Sequence, residues 1–188
     1  MTRVPPTRLQ VWRELTRESV ADCRIFEVER STAVSPVDGK PRAFHRIHSV
    51  DWAQIVPITS DGEVVLVRQY RHGDQRVTLE IPGGLVDAGE DPATAALREC
   101  LEETGYRARA ALSLGVVAPN PALFANRLHA FYAVDVEPER AVQNTGSEVT
   151  EVVLVPVTEL EALLLAGEID HALVAGTLWR YLRLHVPR

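Results

Sequence analysis

Residues 82–105 read PGGLVDAGEDPATAALRECLEETG, and this stretch sets the reading of the rest of the chain. Pro82-Gly83-Gly84 is expected to end the regular element before it, since proline lacks an amide donor and glycine favours irregular backbone. Asp91-Pro92 then opens a helix, because Asp is a preferred N-cap and Pro suits the first helical position. The helix should run to Thr104 and stop at Gly105, a residue at ease in the left-handed conformation that closes helices. Ala93, Ala96, Leu97, Cys100 and Thr104 recur at spacings of three and four and predict the packed face. Glu99, Glu102 and Glu103 recur in the same way on another face.

Like charges at these spacings repel, each pair costing about 0.3 kcal/mol on an isolated helix. Their place in the C-terminal half adds an unfavourable interaction with the helix dipole. A solvated acidic face is one reading of the cluster. The other is a cation site, in which a divalent ion turns the repulsion into coordination. Hard oxygen ligands suit Mg²⁺ or Mn²⁺, which keep water and phosphate oxygens in their shells. The preceding Gly-Gly loop can bring backbone groups close to a ligand. Cys100 falls on the packed face and reads as a small core hydrophobe, not as a nucleophile.

Outward from the helix, strands and helices mix without regular βαβ alternation, which favours an α+β sandwich around a mixed sheet. Residues 11–34 alternate partially, as in Cys23-Arg24-Ile25-Phe26-Glu27-Val28, and predict a hairpin, with a turn at 35–41 and a third strand at 44–49. These form an N-terminal β subdomain over residues 1–50, with the main domain over 51–188. Strands are expected at 54–59, 63–70, 78–81, 110–117, 127–136 and 149–156. Helices are expected at 157–165 and 171–184.

The 188 residues suffice for one domain with a sizeable core and a small appendage. A formal charge of -6 disfavours a general nucleic-acid binder, yet poses no obstacle to anionic substrates if cations take part. No window is apolar enough to span a bilayer, and the first residues lack the apolar run of a secretory signal. Two cysteines are too few for a disulfide framework, so a cytoplasmic location is the default expectation.

Gly84, Glu90 and Arg98-Glu99-Cys100-Leu101-Glu102-Glu103-Thr104-Gly105-Tyr106 together resemble a complete Nudix box, a 23-residue pattern in which every fixed position is filled. The resemblance implies a Nudix-type α/β/α sandwich and a metal-dependent pyrophosphohydrolase. It assigns Glu99 and Glu103 as catalytic metal carboxylates with Glu102 assisting, and the Gly83 carbonyl as a further ligand. Gly84, Glu90, Arg98 and Gly105 are then structural, with Glu90 and Arg98 pairing to hold the loop on the helix. The metal, Mg²⁺ or Mn²⁺, would polarise the diphosphate and help generate hydroxide.

The flanks are similar to the branch that hydrolyses ADP-ribose and nucleoside diphosphate sugars. Val67-Arg68-Gln69-Tyr70-Arg71 followed by Leu79-Glu80-Ile81 resembles its lead into the box, and Pro121 lies where its members tend to carry proline. The N-terminal segment matches that branch's dimerising subdomain, implying a homodimer. Pro82-Gly83-Gly84 and the segment 120–127 depart from its usual pattern, and the latter resembles a bacterial group acting on several nucleoside diphosphate sugars. Nucleoside triphosphate or dinucleotide hydrolysis, and a non-catalytic sensing module, are the alternatives.

Four substrate-binding candidates follow, each with a structural alternative. Arg71 can grip phosphates bidentately or form a surface salt bridge. Glu80 can bond a base or ribose, or brace the loop. Trp52 can stack a base or pack in the core. Asn126, with Asn120, can line the sugar end or serve a turn. The general base is sought after the box, as in ADP-ribose-type relatives, with Glu148 first and Glu151 second. The histidines show no metal-ligand spacing and stay unassigned.

Overall fold

A computed structural model describes residues 7–142, 144 and 149–186. The described chain divides into two compact units, one of residues up to Ser49 with Asn120–Ala125, the other of Val50–Pro119 with the remainder.

In the first unit, β1 (Arg13–Asp22), β2 (Glu27–Val34) and β3 (Pro41–His48) form an antiparallel sheet in the order β1-β2-β3. The third strand begins earlier than expected because the turn closes tightly. Ser35 N–H donates to the Lys40 carbonyl at 2.9 Å, so pairing starts at Val34↔Pro41. Asn120–Ala125 lies beside β3, with Ile47 N–H donating to Leu123 O and Ala125 N–H to Ile47 O.

The second unit contains β4 (Trp52–Thr59), β5 (Glu63–Arg71), β6 (Arg76–Glu80), β7 (Gly83–Leu85), α1 (Pro92–Thr104), β8 (Tyr106–Arg107), β9 (Leu112–Val117), β10 (Leu128–Pro138) and β11 (Thr150–Pro156). A 3₁₀ turn (Val157–Glu159) precedes α2 (Leu160–Ala166), and α3 (Ala172–His185) follows. The sheet is mixed: β10 runs parallel to β4, and the other pairs are antiparallel. Period-two alternation sends each strand's apolar side chains to opposite faces. Ala53, Ile55 and Val65 pack with α1, around Ala95, Ala96 and Cys100. Val56, Ile58, Val64 and Leu66 pack with α2 and α3, around Leu160, Val174 and Leu178. The result is the expected sandwich, helix on both faces of one sheet.

One irregularity of this sheet matters most. β4 and β5 pair at Ile58↔Val64 and then part. The gap is filled by one continuous segment, which runs along β5 as β6 and then along β4 as β7. Pro82 makes the crossing: it has no N–H to extend a ladder, while its carbonyl accepts from Ile55 N–H at 3.0 Å. β6 stops at Glu80, ahead of Pro82-Gly83-Gly84 as expected from sequence, and the two glycines then start a new strand on a different partner, which the sequence reading did not anticipate.

Helix α1 has the predicted bounds. Asp91 caps it by accepting from Ala93 N–H at 3.0 Å and Thr94 N–H at 3.2 Å. Gly105 ends it at φ +73°, where an added Cβ would collide with the Arg140 carbonyl. The packed face is rotated from the one predicted. Ala95, Ala96, Glu99, Cys100, Glu103 and Thr104 are buried, whereas Ala93 and Leu97 are only partly so. Two of the three clustered glutamates therefore face inward, toward the bare backbone of Gly83-Gly84.

Candidate active site

Two glycines and two glutamates form the centre of the site. The Gly83 amide donates to Glu103 Oε2 at 2.9 Å. The Glu99 carboxylate lies where a side chain on Gly84 would stand, with Cδ 2.6 Å from an ideal Cβ position. A Cβ on Gly83 would meet Ala53 O at 2.6 Å and Gln54 Cβ at 2.7 Å. The close approach of helix, β7 and β4 therefore depends on both glycines. Glu99 and Glu103 are each only 9% exposed, so both carboxylates have lost most of their water.

Arg98 organises the rim. Its Nε donates to Glu90 Oε1 at 3.1 Å and its Nη2 to Glu90 Oε2 at 3.0 Å, a bidentate pair. Nη2 also reaches the Leu85 carbonyl at 3.0 Å, and Nη1 reaches Glu99 Oε1 at 2.8 Å and Glu102 Oε2 at 3.2 Å. Glu90 Oε2 accepts the Asp87 amide at 3.1 Å as well. Loop 85–90 is thus tied to the helix through one guanidinium. The hydrogen bonds from Arg98 hold the Glu90 carboxyl below the usual carboxylate range, against a smaller opposing effect of burial. The Glu90 hydrogen bonds likewise raise the Arg98 pKa, outweighing burial, so Arg98 is a permanent cation. Glu102 is the most exposed of the group, with half its side chain in water.

The carboxyl end of α1 is clasped from β11. Thr150 Oγ1 donates to the Glu103 carbonyl at 2.8 Å, while Asn144 Oδ1 accepts Thr150 N–H at 2.8 Å and Asn144 Nδ2 donates to Thr150 O at 3.0 Å. Glu148 lies outside the described residues. Glu151 follows Thr150 on the strand and so points to the opposite face, where Arg68 Nη1 donates to it at 3.0 Å. Cys100 is fully buried, and burial pushes its thiol up to about 12, which removes it as a nucleophile.

A second polar group occupies the gap between β5 and β4. Glu80 is 2% exposed and accepts a bidentate pair from Arg71, Nε to Oε1 at 2.7 Å and Nη2 to Oε2 at 2.8 Å. Thr78 Oγ1 donates to Oε1 at 2.6 Å. Burial alone would raise the Glu80 pKa, but the Arg71 and Thr78 bonds prevail and lower it. Arg71 and Glu80, singled out separately in the sequence, are therefore one unit. Thr78 escaped notice although the alternation of β6 places it on the same face as Glu80. His171 also approaches this unit, and no sequence signal connects it to Glu80.

The remaining candidates lie on β4 and just ahead of β10. Trp52 is half-buried opposite Leu85, on the strand face of Gln54 and not of Ala53. Asn126 is 4% exposed, and its Nδ2 donates to the Val50 carbonyl at 2.9 Å. Asn120 Oδ1 accepts Ala122 N–H at 3.2 Å, a turn role. Asp51 was missed from sequence. It binds the Val86 amide through its carbonyl at 2.9 Å, and the Arg127 amide and His129 Nε2 through its carboxylate at 2.8 and 3.0 Å.

Among the described residues, no three Asp, Glu, His or Cys side chains converge closely enough to ligate an ion by themselves. The donor chemistry nonetheless suits a hard cation. Glu90, Glu99 and Glu102 share the single guanidinium of Arg98, and Glu103 adjoins them with a backbone amide as partner. A divalent ion could take water or phosphate oxygens for its remaining ligands.

Comparison with known proteins agrees with this geometry. Residues 50–175 match the NUDIX domain, a span that contains the box and the whole sandwich up to the start of α3. An ADP-ribose pyrophosphatase of Bacillus subtilis (strain 168) is 30% identical over 131 residues, 69% of this chain and 70% of that one. The ADP compounds hydrolase NudE of Escherichia coli (strain K12) is 33% identical over 127 residues, 66% and 67% of the two chains. A crystal structure of an ADP compounds hydrolase superposes with a TM-score of 0.81 at 27% identity, covering 95% of this chain and 97% of its own. The chain belongs to the Nudix family and is one of its pyrophosphohydrolases. Within the family it stands in the ADP-ribose pyrophosphatase branch. No helix among the described residues is long and apolar enough to cross a membrane.

Proposed function

We propose that this enzyme hydrolyses the diphosphate linkage of ADP-ribose and related nucleoside diphosphate sugars, giving a nucleoside monophosphate and a sugar phosphate. The single observation that carries the reading is the seating of Glu99 and Glu103 on the Gly83-Gly84 backbone, inside the matched domain. The names of the relatives supply the substrate class. Glu99, Glu103 and Glu102, with the Gly83 carbonyl, would hold Mg²⁺ or Mn²⁺. When bound, the cation neutralises the diphosphate and makes water a stronger nucleophile. Arg71, fixed by Glu80, meets a phosphate of the substrate, and Trp52 and Asn126 serve the nucleoside and sugar ends.

A general base takes the proton of the attacking water. We assign Glu148 to this role ahead of Glu151, because it stands in the polar segment after the box where ADP-ribose-type relatives carry the base. Glu151 is engaged with Arg68 on the other face. With Mg²⁺ present, ADP-ribose, ADP-glucose and GDP-mannose should be turned over faster than nucleoside triphosphates or diadenosine polyphosphates. Triphosphates turned over fastest would overturn the substrate class. In the same assay Glu148→Gln should lose about 10²–10³-fold in kcat and Glu151→Gln less than threefold, roughly. The reverse order would transfer the role to Glu151.

The first unit is also proposed to dimerise. β1 is an edge strand of its sheet and every residue of it is exposed, Leu15 and Val20 among the charged ones, which leaves an edge that a second copy can cover. Sedimentation equilibrium should give about twice the 20.8 kDa chain mass. A monomer at micromolar concentration would refute it.

A further inference from the structure

His171 stands at the N-terminal end of α3, with Nδ1 4.0 Å from Glu80 Oε2. That nitrogen is buried and has no hydrogen-bond partner. Glu80 Oε2 takes one hydrogen bond from Arg71, whereas Oε1 takes two, from Arg71 and Thr78. A carboxylate oxygen has room for two donors. A buried nitrogen lacking a partner thus faces a buried oxygen with unused capacity, a little beyond bonding distance. An unsatisfied buried polar atom is costly, which makes this position unusual in a well-packed sandwich.

Among the described residues, Glu80 and Asp170 are the carboxylates that interact with the imidazole, each with its own arginine partners. Glu80 and Arg76 come from β6, Arg71 comes from β5, and Asp170 precedes α3. Asp170 is engaged by Arg76, which also holds Asp74. Glu80 is therefore the carboxylate toward which a protonated His171 can move. The helix end is tied to β4, where Gln54 Nε2 donates to the Leu173 carbonyl at 2.9 Å and to Thr177 Oγ1.

We infer that His171 is a positioning residue for the substrate-binding Arg71, acting through Glu80. Protonation of the imidazole supplies a second donor to Oε2. The added bond holds the Glu80 carboxylate, and so the plane of the Arg71 guanidinium, in one orientation. It also divides the carboxylate's charge between two cations, leaving more of Arg71's charge for an anionic substrate. Both effects lower KM as the imidazole gains its proton, and neither acts on the attacking water. The inference rests on the reading of Arg71 as a phosphate ligand.

The test uses the full chain and His171→Asn, a change at a side chain that is 38% exposed. In the parent protein the Arg71 Nε–H NMR resonance should move as the solution is taken from mildly alkaline to mildly acid. In His171→Asn it should stay in place. The variant-to-parent KM ratio for ADP-ribose should then rise from near one at the alkaline end to about threefold at the acid end, the size of effect a half-exposed ion pair supplies. The kcat ratio should stay flat across the same range. Equal movement of the Arg71 resonance in both proteins, or a KM ratio independent of pH, overturns the role of His171. Arg71→Lys separates the two levels. If it raises KM while His171→Asn does not, the inference about His171 alone is wrong. If it leaves KM unchanged, the phosphate reading of Arg71 has failed and the inference falls with it.

Discussion

Replacing Glu103 by Gln is expected to lower kcat by about a thousandfold while shifting the melting temperature by only about 2–4 °C. The expectation follows from what the amide keeps and what it loses. Glu103 Oε2 accepts the Gly83 amide at 2.9 Å, and the carbonyl oxygen of Gln can accept the same bond. The backbone clasp from Thr150 to the Glu103 carbonyl is independent of the side chain. Shape and packing are therefore preserved, and only the charge is removed. That charge is worth most where water is scarce, and Glu103 is 9% exposed. Glu102→Gln provides the contrast. Its side chain is half in water, so its loss should cost roughly tenfold or less. Steady-state rates at saturating Mg²⁺, with thermal melts of each variant, check both. A Glu103→Gln enzyme within a factor of ten of the parent would remove Glu103 from the metal site.

The legibility of this site in the sequence was uneven, and the unevenness has physical causes. The ends of α1 were readable because caps are local chemistry: Asp91 and Gly105 act within a few residues of themselves. The acidic cluster was readable because spacing along one helix fixes which side chains are neighbours. The rotation of that helix was not, because it is set by contact with Gly83 and Gly84. Periodicity counted alanines and leucine as the natural packed face, and the glycines left space for two carboxylates instead. The joining of Asn120–Ala125 to the first unit was equally hidden. It depends on backbone bonds to Ile47, and backbone bonds carry no residue signature. The approach of His171 to Glu80 depends on how α3 crosses the sheet, which a linear pattern does not encode.

Arg98→Ala should destabilise the metal-free protein by about 2 kcal/mol, lowering its melting temperature by about 4–8 °C at neutral pH. Breaking a fully buried ion pair costs more than this, about 3–5 kcal/mol. Here Arg98 is 29% exposed and Glu102 half exposed, so water recovers part of the loss. The Leu85 carbonyl loses a donor in the same step. The pH dependence has a defined sign. Bonds from Arg98 depress the Glu90 pKa in the folded protein, so its stabilising contribution is complete above the ordinary carboxylate range. It fades as pH falls through the depressed value, so parent and variant should converge in acid, below about pH 4. Divalent cation adds the decisive comparison. In the parent, an ion held by the proposed ligands would share Glu99 and Glu102 with Arg98 Nη1. In the variant those carboxylates are uncompensated, and Mg²⁺ should raise the melting temperature more than it does in the parent. A smaller Mg²⁺ effect in the variant would mean that Arg98 holds the carboxylates in place for the cation, in which case its guanidinium is a support of the metal site and not a competitor for it.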